Sequence, residues 1–273
     1  MTEVPAHLSE QTSGMKPRRF VKLFRRKEEA GSARLTGFTL AGASVMCLGI
    51  SLLLAGCQSV TGYSAVSLVR VIDASYNAPA INVYVESSLV ASNIGQGSIT
   101  TYGGFGPSNN ALVKVTAASN SKALVNSNAT LLPNKSQSIL VTDINAQYQV
   151  DVLEDQSTPA PSGHSDFRIL NQAPSTGPID VYFLAGTSAT VYATAKPVIT
   201  NLAVGATSGY VAIPSSTLYM VIAPAGTVLS TTSTTIYSSA ALPLVGGEVR
   251  TVLIVDPLLV TEPVQVYMAK DVN

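Results

Sequence analysis

VRVIDASYNAPAINVYV, at residues 69–85, contains the clearest indication of the fold. It contains two runs rich in β-branched residues, and the second, INVYV, alternates partly between apolar and polar side chains, as strands do. Between the runs, Asn-Ala-Pro at 77–79 is a turn signal. Similar strand patterns recur at 111–115 and 148–152, whereas helical patterns are missing. The sequence therefore predicts an all-β fold of short antiparallel strands arranged as a sandwich.

A second copy of this stretch follows 98 residues later in the chain. LVRVID at 68–73 aligns with DFRILN at 166–171, and INVYV at 81–85 aligns with IDVYF at 179–183. Further along, the offset rises to about 113, where Asp143 meets Asp256, so the second copy contains insertions. We therefore expect two tandem domains, at residues 66–156 and 165–273, each of a size that folds on its own.

The segment between the copies, residues 157–164, reads STPAPSGH. Two prolines, a glycine and the lack of large apolar residues are typical of a linker. The composition predicts a short, semi-extended spacer that lets the two domains move relative to one another.

A basic segment at 16–34 precedes 20 uncharged residues at 35–54, as in the charged and apolar regions of a signal peptide. The tetrad that follows, Leu54-Ala55-Gly56-Cys57, resembles the lipobox of bacterial lipoproteins. This resemblance implies that diacylglycerol is transferred to the Cys57 thiol and that the chain is cleaved between Gly56 and Cys57. We expect residues 1–56 to form the signal peptide and residues 57–65 a lipidated tether.

The alternative for the leader is an uncleaved signal anchor, because 20 uncharged residues are long enough to cross a bilayer as a helix. In either case the C-terminal part is exported. In lipoprotein terms, Gln58 after the cysteine fits release to the outer membrane of a Gram-negative bacterium. The expected location is the cell envelope, with the membrane as a partner through covalent lipid.

Charge is distributed unevenly along the chain. The 16 basic and 16 acidic residues balance overall. Eight of the basic residues precede Cys57, so the mature chain has 8 basic against 12 acidic residues and a net charge of about −4. This composition does not predict a nucleic-acid partner.

The strand patterns carry a further resemblance. VRVIDASYNAPAINVYV at 69–85, followed by NIGQGSITTY at 93–102, resembles the family DUF4397, a domain of unknown function found in exported bacterial proteins. It implies an immunoglobulin-like or transthyretin-like β-sandwich, and it brings no established activity. The second copy has Asn171-Gln172-Ala173 where the first has Asp-Ala-Ser, so its assignment depends on the internal repeat.

Few residues of the mature chain can support catalysis. His164 is its only histidine, and Cys57 its only cysteine, so triad chemistry and the usual zinc ligands would all depend on a linker residue. We expect His164 and Asp166 to be a solvated linker pair. No glycine-rich phosphate loop precedes a helix pattern. The sequence predicts no cofactor and no metal.

Carboxylates remain as candidates for a glycosidase pair or a calcium site. Asp151, Glu154 and Asp155 form the densest group, for which solvated charge at a strand end is the simpler expectation. Matched pairs in the two copies are more simply structural, although an ion pair between an arginine and an aspartate is testable. These pairs are Arg70 and Arg168, Asp143 and Asp256, Tyr84 and Tyr182, and Tyr102 and Tyr210.

We therefore expect a non-enzymatic envelope module that acts in structure, adhesion or binding to another envelope protein or a surface polymer. The alternative is a module that binds a glycan or another small molecule. A third class is an enzyme that uses carboxylates alone.

Overall fold

The computed structural model describes residues 64–144, 146–258 and 263–271, which lie in one compact unit, Gly62–Asn273. The first eight strands form two facing sheets. Sheet A has the order β4-β1-β7-β8, and sheet B has the order β3-β2-β5-β6. The strands are β1 Ser67–Asp73, β2 Ile81–Val85, β3 Ser88–Ile94, β4 Gly103–Phe105, β5 Ser108–Ala117, β6 Ala123–Leu131, β7 Ser136–Thr142 and β8 Gln149–Asp155.

The remaining strands repeat this arrangement. Sheet C has the order β12-β9-β16-β17, and sheet D has the order β11-β10-β13-β14, with β15 also paired to β13. The elements are β9 His164–Gln172, a 3₁₀ helix Pro174–Thr176, β10 Ile179–Leu184, the short helix α1 Ala189–Ala193, β11 Ile199–Leu202, β12 Val211–Pro214, β13 Thr217–Pro224, β14 Tyr237–Ser238, β15 Leu242–Pro243, β16 Val249–Val255 and β17 Gln265–Lys270.

The all-β prediction is confirmed, and strands dominate the structure. Among the described strands, all pairs are antiparallel except β1 with β7 and β9 with β16. In these two pairs Val71 lies opposite Ile139, and Ile169 lies opposite Val252. The registers have the same offsets of 98 and 113 residues as the sequence repeat. The insertions in the second copy form α1 and the segment 225–236.

Each sandwich has its own apolar core between its two sheets, as alternating strands require. The first core contains the inward side chains of sheets A and B, such as Val71, Val83 and Val113. The second contains those of sheets C and D, such as Ile169, Val181 and Met220. These cores hold the strands of each sandwich in place and leave the outer faces of the sheets to contact other surfaces.

The outer faces of sheets A and C pack against each other and join the two sandwiches. All seven residues of β7 are buried, because one face of the strand lies on the first core and the other on the second sandwich. The prediction of two domains that move independently on a spacer is therefore wrong, since these faces are too apolar to be left in water. The apolar side chains buried there are Ile72, Ala74, Leu140, Leu170, Leu253 and Val255.

The predicted linker is attached to the second sandwich. Ala160 is buried, and its N–H donates to the carbonyl of Gly247 at 3.2 Å. Gly247 in turn donates to the carbonyl of His164 at 2.8 Å. Gly163 has a φ of 74°, a left-handed conformation that glycine adopts without strain. The segment is therefore a defined turn, although most of its side chains remain exposed.

Candidate functional site at the junction of the two sandwiches

A buried arginine of the first sandwich pairs with the second sandwich. Arg70 of β1 is 1% exposed, and its Nη2 donates to Asp271 at 2.5 Å and to Thr251 at 3.1 Å. Its Nε donates to Ser138 at 2.8 Å, and Nη1 donates to the carbonyl of Lys270 at 3.2 Å. Burial alone lowers the pKa of Arg70, but Asp271 and other nearby charges outweigh this effect and raise it. The guanidinium therefore stays charged inside the protein.

The second sandwich makes the equivalent contact with the first sandwich. Arg168 of β9, which aligns with Arg70, donates from Nη2 to Asp155 at 2.5 Å and to Thr251 at 2.9 Å. Its Nη1 donates to the carbonyl of Glu154 at 3.1 Å. The two ion pairs are thus related by an approximate twofold axis between the repeats. The interface is isologous, like that of a homodimer.

A tyrosine of the same sandwich covers each arginine. Tyr102 and Tyr210 place their rings 4.8 and 4.9 Å from the guanidinium carbons of Arg70 and Arg168, which is cation–π geometry. The Tyr102 hydroxyl donates to Asp155 at 2.6 Å, and the Tyr210 hydroxyl donates to Asp271. Burial raises the pKa of both tyrosines. Both phenols therefore remain protonated donors.

We call this group of eight side chains the junction cluster. It contains two cations and two anions, all 4% exposed or less. Because its charges are compensated and its carboxylates are bonded, the cluster holds the sandwiches together and offers no free nucleophile or base. Its members are Arg70, Tyr102, Ser138, Asp155, Arg168, Tyr210, Thr251 and Asp271.

Of the three carboxylates predicted as a group, Asp151, Glu154 and Asp155, only Asp155 belongs to the junction cluster. Asp155 is buried in it, so the expectation of solvated charge is wrong for this residue. The alternation of β8 turns Asp155 toward the second sandwich and leaves Glu154 exposed beside Lys135, at 2.6 Å. Asp151 is exposed on the same strand. In the part of the chain that the structure describes, no three His, Cys, Asp or Glu side chains are placed to hold a metal ion.

Asp143 and Asp256, the aspartates matched between the two copies, each hold a loop in place. Asp143 accepts hydrogen bonds from the N–H groups of Tyr76 and Asn77 at 2.8 and 2.7 Å. Asp256 accepts from the N–H of Ser175 at 3.2 Å and from its hydroxyl at 2.5 Å. Each carboxylate therefore anchors the loop that joins the first two strands of its sandwich, in agreement with a turn-stabilising role.

These two aspartates also line one cleft between the sandwiches. The cleft has a volume of about 270 Å³, and Tyr76, Asn77 and Gln172 are among the other residues of its wall. Ligand sites often form at such junctions between domains. The cleft is therefore one place where the described residues could hold a small molecule.

Asp73 and Asn171 occupy equivalent positions, and their side chains are bonded differently. Asn171 donates from its amide to the carbonyls of Gly177 and Leu202 at 3.2 and 3.1 Å. Asp73 accepts from the N–H and hydroxyl of Ser75 through Oδ1, while its buried Oδ2 has no partner among the described residues. Burial raises the pKa of Asp73 to about 6 despite these bonds.

His164 and Asp166 do not form the predicted linker pair. Both belong to β9, which pairs with β12. Asp166 is 7% exposed and accepts a hydrogen bond from Gln156 at 2.7 Å, whereas His164 contacts the carbonyl of Ser162 at 3.1 Å. Although residues i and i+2 of a strand point to the same face, the two side chains bond to different partners, Gln156 and the carbonyl of Ser162.

The other matched tyrosines lie on the outer sheets. Tyr182 is 3% exposed and donates its hydroxyl to the carbonyl of Thr227 at 2.9 Å. Tyr84 is partly buried, with the ammonium of Lys114 4.8 Å from its ring. Of this pair, Tyr182 has the predicted structural role in a buried position, whereas Tyr84 stays partly exposed.

Sequence reasoning missed Asp271, Ser138 and Thr251 at the junction. The available signal was an arginine matched in two strands that are otherwise apolar, because such a charge needs a buried partner. The pattern could not name that partner, since it lies 201 residues away.

Comparison with known families gives one match. Residues 67–182 match the model of the domain of unknown function DUF4397. The matched region contains all of the first sandwich and the strands β9 and most of β10. None of the curated proteins matches the chain.

The predicted lipid site lies outside the described residues. This applies to the signal peptide at 1–56, the tetrad Leu54-Ala55-Gly56-Cys57 and most of the tether at 57–65. No helix among the residues that the structure describes is long and apolar enough to cross a membrane.

Proposed function

We propose that this chain is a lipid-anchored module of the bacterial cell envelope with a non-enzymatic role in structure, adhesion or protein binding. The proposal combines the lipobox-like tetrad with a body of two sandwiches that cannot move apart freely. We also propose that the second sandwich is a DUF4397 domain, because its strand order repeats that of the first.

The non-enzymatic role is supported by one observation, which is that the candidate residues are already bonded to structural partners. The arginines and Asp155 are bonded within the junction cluster, and Asp143 and Asp256 anchor loops. A catalytic acid or base needs an open position beside a substrate, and these groups already serve as structural partners. A rigid body on a tether suits display and attachment.

The anchor is tested by metabolic labelling with a palmitate analogue. We expect the native chain to be labelled and the Cys57→Ser variant to be neither labelled nor processed, because serine lacks the thiol. The neighbouring variant Ser59→Ala is the control and should be labelled normally. A tagged Cys57→Ser chain would overturn the lipid assignment.

The role in binding is tested by crosslinking intact cells and purifying the lipoprotein with its neighbours. A reproducible envelope protein or surface polymer supports the proposal. Hydrolysis of ester, peptide or glycoside substrates that disappears on mutating Asp151, Glu154 or Asp256 would overturn it and favour an enzyme that uses carboxylates.

The second candidate function is binding of a glycan or another small molecule, and the cleft beside Asp143 and Asp256 favours it. Tyr76 is 43% exposed at this cleft, so Tyr76→Ala removes lining surface without emptying a core. A ligand found on a glycan array or in a metabolite screen should lose affinity for this variant. Equal binding by the variant would exclude the cleft.

A further inference from the structure

The edge strand β6 has unusual properties for an exposed sheet edge. With nine residues it is the longest edge strand described. Its sequence, ALVNSNATL, contains neither a charged residue nor a proline, and its register with β5 is regular from Val125 to Ala129. Such an edge is a template for pairing with another strand unless some feature blocks it.

The other described edges carry features of that kind. The register of β3 shifts within the strand and that of β11 shifts within its four residues, whereas the two shifts of β6 lie at its ends, outside Val125–Ala129. The remaining edges have a length of four residues or fewer in β4, β12, β14 and β15, the charges of Asp151 and Glu154 in β8, or Lys270 at the end of β17. The strongest contrast is within the repeat itself. The counterpart of β6 in the second sandwich is divided into β14 and β15, which have two residues each and include Pro243.

Two hydrogen bonds show which backbone N–H and C=O groups of β6 point away from β5. The buried side chain of Gln137 donates to the carbonyl of Thr130 at 3.1 Å and accepts from the N–H of Leu132 at 2.8 Å, so this side chain covers the end of the β6 edge. Because N–H and C=O groups alternate in direction along a strand, those of Asn126 and Asn128 also point outward. Both asparagine side chains are exposed.

We propose that β6 pairs antiparallel with β6 of a second copy of this chain, about a twofold axis at Ser127. This register places Asn126 opposite Asn128 of the second copy, and the reverse, at hydrogen-bonded positions. An amide side chain both donates and accepts, so asparagines are complementary to each other. The uncharged edge also avoids repulsion between two copies of an acidic chain. Sheet B of each copy then continues into that of the other.

The first experiment measures self-association of residues 62–273, the compact unit without the leader, by sedimentation equilibrium over a range of concentrations. We expect a monomer–dimer equilibrium. The variant Asn126→Lys/Asn128→Lys should raise the dissociation constant at least about tenfold, because like charges then lie opposite each other. Thr200→Lys, an exposed position on β11, is the matched control and should not change it.

A charge-swap variant tests the register. In Asn126→Lys/Asn128→Asp each introduced lysine faces an introduced aspartate of the other copy, so the dimer should be retained. Ser127→Cys should form a disulfide between copies on mild oxidation, because the axis brings the two thiols together, whereas Ser119→Cys in the β5–β6 turn should not. A chain that stays monomeric, a dimer that the double lysine variant leaves unchanged, or a Ser127→Cys chain that does not crosslink would overturn the proposal.

Discussion

The two sandwiches have the same strand order but cover the outer faces of their second sheets differently. In the second sandwich, Tyr182 is buried beneath α1 and the segment 225–236, whereas in the first sandwich Tyr84 has Lys114 above it. The junction faces, in contrast, keep the same arginine, tyrosine and aspartate in both. The shared interface therefore restricts change in both copies, whereas the outer surfaces of the second sheets are free to differ.

The largest effect should come from breaking the junction. Arg70→Ala leaves the carboxylate of Asp271 buried without its cation, and we expect it to lower the free energy of unfolding by about 3–5 kcal/mol. Arg168→Ala should cost somewhat less, because Nε of Arg168 has no partner in the described part of the chain. Urea denaturation at pH 7 measures both.

The control for the junction is an exposed ion pair. Lys135→Ala removes the partner of Glu154, and both side chains are about half exposed. Its cost should stay below about 1 kcal/mol. Arginine variants that cost no more than Lys135→Ala would contradict the structural importance of the junction.

The contrast between Asp73 and Asn171 predicts a stabilising substitution. The pKa of Asp73 is about 6 in the folded protein and about 3.9 in an unfolded chain. Its contribution to stability is therefore complete below pH 4 and is lost as the pH rises through 6. Asp73→Asn should raise the free energy of unfolding by about 2–3 kcal/mol at pH 8, with the gain disappearing near pH 4.

The reverse substitution is the matched test. Asn171→Asp replaces two donated hydrogen bonds with a buried carboxylate facing carbonyls, so the variant should be destabilised at pH 8. Thermal melts at pH 4 and pH 8 would measure all three chains. A gain for Asp73→Asn that does not depend on pH would show that the charge of Asp73 is not its cause.

Smaller effects should follow from removing the junction hydroxyls. Tyr102→Phe and Tyr210→Phe each delete one hydrogen bond to a carboxylate that keeps its arginine. We expect a loss of about 1–2 kcal/mol for each, measured by urea denaturation. A loss for one variant alone would show that the approximate twofold symmetry does not extend to the energetics.

The smallest effect should come from cutting the linker. A protease should cleave within residues 157–164, where most side chains are exposed. The two fragments should remain together in size-exclusion chromatography, with an unchanged far-ultraviolet spectrum, because the junction holds them without the covalent link. Separation of the fragments in native buffer would restore the prediction of independent domains.

The sequence was sufficient to predict the strands and the sandwich class, because period-2 patterns such as INVYV report which side chains face a core. It was not sufficient for the junction. The runs at 139–141 and 252–255 are apolar without alternation, which indicates strands buried on both faces. The linker composition outweighed that evidence and led to the prediction of separate domains.

The chemistry of the candidate residues was harder to predict than the fold. The matched arginines and aspartates were recognised as structural, but the acidic partners of Arg70 are Asp271 at 2.5 Å and Asp155 at 3.7 Å. Sequence spacing does not predict contacts between residues so far apart in the chain. The raised pKa of Asp73 depends on burial by residues from several strands. A local pattern contains no information about that environment.

The contact between Arg70 and Asp271 also has a consequence for the time at which the protein is completed. The first sandwich ends at Asp155, and the partner of Arg70 comes 116 residues later. At about 5–20 residues per second, a ribosome needs roughly 6–23 s to add that length. During this interval the first sandwich presents Arg70 without Asp271, beside the uncovered apolar side chains of Ile72 and Leu140. The nascent chain therefore keeps an exposed adhesive surface until the residue after β17 has been made.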